Sequence, residues 1–219
     1  MKIRIILAIL IAPLLLNSCE KDDSDGSSNA AGKLYVRSLY SLVTGSVSID
    51  WYYMGDNGEF VKNPKNGVQP VDMVAEKKNN QQNTGTYTIY KENNNSFIKI
   101  TWASGSTTTM GLKYQNGDIS EMDIMGVMIR QTGLPKNYKL NAAYEGASTD
   151  MYFRFNTDGT FTFKDYDLET YKWETYTGKY EINGNNLNLK FDEGTVLLCM
   201  IAVLDKGDLI INREYYEKQ

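Results

Sequence analysis

Five acids, Asp150, Asp165, Asp167, Glu169 and Glu174, gather in one part of this chain, and paired carboxylates can hydrolyse a glycosidic bond. One acid would protonate the leaving oxygen while the other activates water or attacks the sugar. Asp165-Tyr166-Asp167-Leu168-Glu169 also alternates acids as a calcium loop does, but it has no glycine and no downstream carboxylate at the right spacing. All five lie in or beside polar turns, where acids serve solubility. No catalytic residue, metal ligand set or cofactor is therefore expected. The chain holds 0 histidines, which removes Ser-His-Asp and Cys-His nucleophile systems and histidine-ligated zinc or haem. Any enzyme chemistry left would run on carboxylates, Lys or Tyr, and a carboxylate-based glycan-active enzyme stands as the residual alternative.

Aromatic residues offer more. Trp51, Tyr52 and Tyr53 sit together, and Tyr166, Tyr171, Trp173 and Tyr176 fill a later charged segment. Exposed on a β scaffold, such side chains bind sugars or apolar molecules by stacking. Trp51, Tyr53, Tyr166, Tyr171, Trp173 and Tyr176 are thus the candidate ligand-binding residues. The competing reading makes them covers for barrel ends or for an interface between repeats.

Of the two cysteines, Cys199 lies in the apolar run TVLLCMIAV and reads as a small buried residue with nothing nearby to activate it. Cys19 follows a different kind of segment. Lys2 and Arg4 precede an apolar run from Ile5 to Leu16, of signal-peptide length and shorter than the ~20 residues that span a bilayer. Leu16-Asn17-Ser18-Cys19 resembles the lipobox of bacterial lipoproteins, with Asn at a position where Ala or Ser is more common. The resemblance implies a leader at 1–18, cleavage before Cys19, and acyl chains, palmitate among them, that hold the protein to a membrane. Residues 19–32, acidic and rich in Ser and Gly, read as a disordered tether. The Lys21-Asp22-Asp23 cluster resembles the export signal of Bacteroidetes surface lipoproteins. That implies an outer-membrane lipoprotein exposed at the cell surface, a periplasm-facing one being the alternative.

Loss of Lys2 and Arg4 with the leader would take the net charge from −4 to −6. A mildly acidic chain without a basic run argues against nucleic-acid partners. One remaining thiol cannot make an internal disulfide, so the fold must rest on its core.

The elements that would position these residues are almost wholly β. Period-2 alternation marks strands at 33–42, 47–54, 85–92, 96–103, 107–114 and 118–130, with a turn at Asp56-Asn57-Gly58 and a long polar loop from Asn63 to Thr84. Later, Phe153 and Phe155 alternate against Phe161 and Phe163 across an Asp158-Gly159 hairpin turn. A loop follows from Asp165 to Thr177, then two strands meeting at Gly184-Asn185-Asn186. Val196 to Leu204 is apolar on both faces and reads as a central strand covered on both sides. Met122, Met125, Met128 and Ile129 have helical spacing, so 122–130 alternatively reads as a short helix.

Landmarks recur. Asn57-Gly58-Glu59-Phe60 corresponds to Asp158-Gly159-Thr160-Phe161, Gly85-Thr86-Tyr87 to Gly178-Lys179-Tyr180, Gly105 to Gly194, and Asn116-Gly117-Asp118-Ile119 to Lys206-Gly207-Asp208-Leu209. They define two diverged repeats of about ninety residues, at 33–133 and 134–219.

The second repeat resembles the lipocalin-like domains of Bacteroidetes lipoproteins. It carries their aromatic strand (Tyr152 to Phe155), the Asp158-Gly159-Thr160-Phe161 hairpin, the Gly178 to Tyr180 strand and Asn186-Leu187-Asn188-Leu189. The first repeat fits in part, and the early Gly-x-Trp of many such domains is absent, Tyr144-Glu145-Gly146 being the nearest feature. The expectation is an all-β fold of two tandem lipocalin-like repeats, either two small barrels or one continuous sheet system. The expected function is a non-catalytic, lipid-anchored envelope protein that binds a small apolar molecule, a glycan or an envelope partner. A purely structural protein with filled cores is the alternative. Oligomeric state is not legible.

Overall fold

The computed structural model describes residues 32–41, 46–65, 71–124, 127–135, 137–147 and 149–219. The expected leader at 1–18, the anchor Cys19 and all of the tether but Gly32 lie outside the described residues.

In the first half, β1 (Lys33–Tyr40), β2 (Val47–Met54), β3 (Glu59–Lys62) and β4 (Thr84–Glu92) are followed by β5 (Asn95–Trp102), β6 (Thr107–Gln115), β7 (Asp118–Ile124) and β8 (Val127–Thr132). Each strand pairs antiparallel with the next, and β8 returns to β1 through Leu34–Thr132 and Val36–Arg130, closing a barrel. The second half repeats the plan with β9 (Ala142–Gly146), β10 (Met151–Phe155), β11 (Thr160–Asp167), β12 (Lys172–Asn183), β13 (Asn186–Phe191), β14 (Val196–Val203), β15 (Leu209–Ile211) and β16 (Glu214–Lys218). There β16 closes on β9, Tyr216 opposite Gly146. The fold is all-β, and of the two expected arrangements it is two barrels. Closure leaves neither sheet with a free edge on which another chain could pair.

Both interiors are filled by the alternating residues. Tyr35, Tyr52, Phe60, Ile98, Ile100, Met122 and Ile129 pack inside the first barrel. Phe153, Phe155, Phe161, Phe163, Ile182, Leu187 and Phe191 pack inside the second. Eight strands give a lumen just wide enough for side chains to fill.

The repeated landmarks occupy equivalent places. Gly58 and Gly159 both turn at positive φ (82° and 87°), where a side chain is costly. The hydroxyl of Tyr87 donates to Gly55 O at 2.8 Å, and that of Tyr180 to Asn156 O at 2.9 Å, so one phenol ties the β2–β3 turn to β4 and another the β10–β11 turn to β12.

Three local readings are corrected. Residues 122–130 are not a helix: β7 and β8 form a hairpin in which Met122 pairs with Ile129 and both point into the barrel. Strand pairing there fills the gap between β6 and β1, whose edges a helix would leave bare. The long polar loop holds a helix, α1 (Met73–Asn79), started by Asp72 accepting from Val74 N and Ala75 N at 3.0 Å. Buried Glu76 and Asn80 anchor it, Asn80 Nδ2 donating to Glu76 Oε2 at 2.9 Å and to Asn63 O at 3.1 Å. Finally, the Asp165–Thr177 loop is mostly strand. β11 and β12 pair from Thr160–Lys179 out to Asp167–Lys172, leaving Leu168 to Tyr171 as the turn. Toward its tip the face that continues from Phe163 and Tyr176 turns charged (Asp165, Asp167, Lys172, Glu174) while the outer face carries Tyr166 and Trp173, so the usual apolar-in, polar-out alternation is inverted there.

The two barrels share a third core. Val36, Trp51, Tyr53 and Val61, on the outer face of the first, pack with Met200, Ala202 and Ile210, on the outer face of the second. Cys199 and Ile201 point into the second barrel meanwhile, which explains why β14 is apolar on both faces. Asn185, 2% exposed, adds a polar tie, donating to Thr132 Oγ1 at 2.6 Å and to Ile201 O at 2.9 Å.

Candidate functional site

The six aromatic candidates are not brought together. Trp51 (0% exposed) and Tyr53 (3%) lie in the core between the barrels, where the Trp51 indole donates to Asn212 O. They correct the expectation of exposed binding residues: each stands on the outer face of β2, but that face is covered by the second barrel. Tyr176 is half-buried in the second barrel, 6.1 Å from Phe163 and 6.2 Å from Phe191, and donates to Glu174 Oε2. Tyr171 is 75% exposed at the hairpin tip with φ 55°, an unfavourable backbone for an aromatic residue. Tyr166 and Trp173 do meet, edge to face at 5.4 Å, and Trp173 is 55% exposed.

The acids have local duties. Asp167 accepts from Glu169 N (2.7 Å), Thr170 N (3.3 Å) and Thr170 Oγ1 (2.8 Å), and so holds the turn. Asp158 does the same for Thr160 N at 2.9 Å. Asp165 and Glu174 stand opposite each other across β11 and β12. Burial, then the charges of Glu174, Asp167 and Asp150, raise the Asp165 pKa above its ordinary value. Among the described residues there is no group of three or more His, Cys, Asp or Glu placed to hold a metal ion. Burial pushes the Cys199 thiol up to about 11.

Two clefts remain. The smaller, about 210 Å³, is the mouth of the first barrel, at the end where β1 begins. Tyr35, Met54, Tyr87, Ile89, Tyr114 and Ile119 form its floor and walls, with Lys33, Asp56 and Asp118 at the rim. Ile89 pairs with Ile98, whose side chain fills the interior, so Ile89 is on the inward side of β4 yet 44% exposed. Tyr114, 48% exposed, is beside it in the same mouth. The floor is fixed: Tyr35 donates to Ile119 O at 3.3 Å, and Lys33 Nζ lies 2.6 Å from Asp118 Oδ1. Burial, then Tyr87 and Asp118, push the Tyr35 phenol well above its ordinary value, so it stays a neutral donor. Nothing in the sequence singled out this mouth, because its residues come from five strands and two turns and share no motif.

The larger cleft, about 360 Å³, lies on the outer wall of the second barrel and is lined by Glu145, Thr149, Asp150, Met151, Tyr152, Lys164 and Trp173.

Closed antiparallel barrels with filled lumens, one of them with a shallow apolar mouth, define a small β-barrel scaffold. Residues 125–210 match the family described as the lipocalin-like domain, a stretch that covers β8, all of β9 to β14 and the start of β15. The match falls on the second barrel, whose hairpin and strand motifs resemble that family, and the first barrel lies almost wholly outside it. No curated protein and no solved structure matches the chain.

Proposed function

We propose that this is a non-catalytic, lipid-anchored protein of the cell envelope whose first barrel takes the apolar part of a small amphiphilic ligand at its mouth. One observation carries the reading: Ile89 and Tyr114 are turned toward a barrel interior and remain about half exposed there. Apolar surface left open in a concave site is what an apolar ligand group would cover. The rim charges of Lys33, Asp56 and Asp118 suit a polar head at the same mouth.

Chain order supports the envelope setting. Lys33, the first residue of β1, stands on the rim of the mouth. A chain anchored at Cys19 has fourteen residues to reach Lys33, a span of at most about 50 Å, so the mouth would sit at the membrane-proximal end. The absence of histidine and the structural duties of the acids support a non-catalytic role.

The test is binding of the apolar dye N-phenyl-1-naphthylamine to the full chain. Fluorescence enhancement is expected, with loss in Ile89→Lys and retention in Trp173→Ala. No enhancement, or equal enhancement in Ile89→Lys, would refute the reading. It would favour the second one, an envelope structural or interaction protein, which draws on the solid packing inside both barrels.

A further inference from the structure

We propose that the cleft on the outer wall of the second barrel is a separate binding site for a neutral saccharide. Its floor is dictated by register. Glu145, Tyr152 and Lys164 stand side by side on β9, β10 and β11, since Tyr152 pairs with both of the others. Their chain neighbours Tyr144, Phe153 and Phe163 fill the interior, so these three side chains must point outward. Trp173 closes one side, propped edge-on by Tyr166, and Thr149 and Asp150 close the other.

The chemistry of the lining selects the ligand. Trp173, with the Tyr152 ring and Met151 nearby, offers a flat apolar face among two carboxylates, an ammonium and a hydroxyl, which suits a pyranose ring with its C–H face and its hydroxyl rim. The carboxylates of Glu145 and Asp150 accept hydroxyl hydrogens, and Lys164 Nζ donates. Lys164 has no carboxylate within 4 Å among the described residues, its ammonium lying 5.9 Å from the Tyr152 ring centroid. Thr149 supplies a hydroxyl that is buried yet has no hydrogen-bond partner among the described residues. A buried hydroxyl without a partner is costly, and a ligand hydroxyl would satisfy it.

Other ligand classes fit less well. A fatty chain would desolvate two carboxylates and an ammonium with nothing to pair them. An anionic ligand would meet two acids against one base. The volume is at the small end of ligand sites and suits one or two sugar rings.

The site lies on the other barrel from the mouth, so each can fail without the other. The test titrates the full chain with maltose, cellobiose and N,N′-diacetylchitobiose, following tryptophan emission and amide chemical shifts. Saturable binding of at least one is expected, with emission changes arising at Trp173. Trp173→Ala should weaken it by roughly tenfold or more, as an aromatic anchor does, and Lys164→Met by a smaller factor. Both side chains are exposed, so thermal unfolding should be unchanged in either variant, which separates lost binding from lost folding. No binding of any of the three at about 10 mM would overturn the proposal. Undiminished binding in Trp173→Ala, or tighter binding of digalacturonate than of the neutral sugars, would do so as well.

Discussion

The indole nitrogen of Trp51, on the outer face of the first barrel, donates its hydrogen to the backbone carbonyl of Asn212 in the second. Around this bond, Val36, Val61, Met200, Ala202 and Ile210 form a core that belongs to neither barrel alone. Trp51→Ala should therefore cost roughly 3–5 kcal/mol, the range for truncating a large buried aromatic. Trp51→Phe keeps most of the packing but leaves Asn212 O unsatisfied, a loss of about 1–3 kcal/mol. Urea unfolding followed by circular dichroism measures both. A Trp51→Ala variant as stable as the parent would show that the barrels fold without help from each other.

Gly178 on β12 lies opposite Phe191 and under the ring of Phe161. A Cβ there would come within 2.2 Å of Lys190 O, an atom of the sheet backbone that cannot swing aside. Gly178→Ala should lose roughly 3 kcal/mol, the upper end of overpacking. Gly194 has φ 98° and open space around it, so Gly194→Ala should lose only roughly 1–2 kcal/mol from backbone strain. Thermal melts rank the pair, and a milder effect at Gly178 would contradict this packing.

Two acids set opposing pH dependences. Burial works to raise the Asp50 pKa. The hydrogen bond from Asn63, at 2.9 Å, and the charges of Lys62 and Arg37 outweigh it and hold the pKa below the ordinary value of 3.8. Its contribution is present above that value and fades as pH falls through the lowered folded pKa. The Asp165 pKa is raised, so the folded state holds this proton more tightly than the unfolded chain does. Its stabilising contribution is full below 3.8 and is lost as pH rises through the raised folded value. At pH 7 Asp165→Asn should thus be more stable than the parent, the difference shrinking toward pH 4. Urea midpoints across that range test it, and a destabilised Asp165→Asn at pH 7 would reverse the sign argued here.

With its thiol pushed up to about 11 by burial, Cys199 should stay unreactive in the folded protein. In a Cys19→Ser chain, where Cys199 is the remaining thiol, Ellman's reagent at pH 8 should label nothing until denaturant is added. Rapid labelling of the native protein would mean that β14 opens readily.

The same Cys19→Ser change tests the anchor. Expressed in a bacterium that exports lipoproteins, the parent should fractionate with membranes and incorporate labelled palmitate. The variant should do neither. Membrane association with palmitate uptake in the variant would remove the anchor from the proposal.

The second repeat was readable residue by residue. Its apolar positions alternate cleanly from Phe153 to Phe163, and Asp158-Gly159 can adopt the turn that joins them, so local rules sufficed. The double-sided apolar run of β14 announced a strand covered on both faces, which holds where Met200 and Ala202 meet the first barrel, whereas Val196 and Leu198 on the same outer face are exposed. Met122 to Ile129 misled because methionines a few residues apart satisfy helical and strand periods alike until a partner strand decides. Asp165 to Thr177 misled because its charges continue the inner face and its aromatics Tyr166 and Trp173 lie on the outer one, the reverse of the pattern that marks a half-buried strand.

The sequence by itself determined the all-β character, the repeat and the exclusion of histidine chemistry, since strand periodicity, turn residues and composition are local properties. Tertiary structure decided which aromatics are free. Trp51 and Trp173 are alike as residues on β strands, yet one is sealed by the second barrel and the other is 55% exposed beside a cleft. It also decided where ligand surfaces exist: the mouth joins residues from Lys33 to Ile119, and the outer cleft joins Glu145 to Trp173. Concavity arises from strand closure and from contacts distant along the chain, which no window of sequence contains.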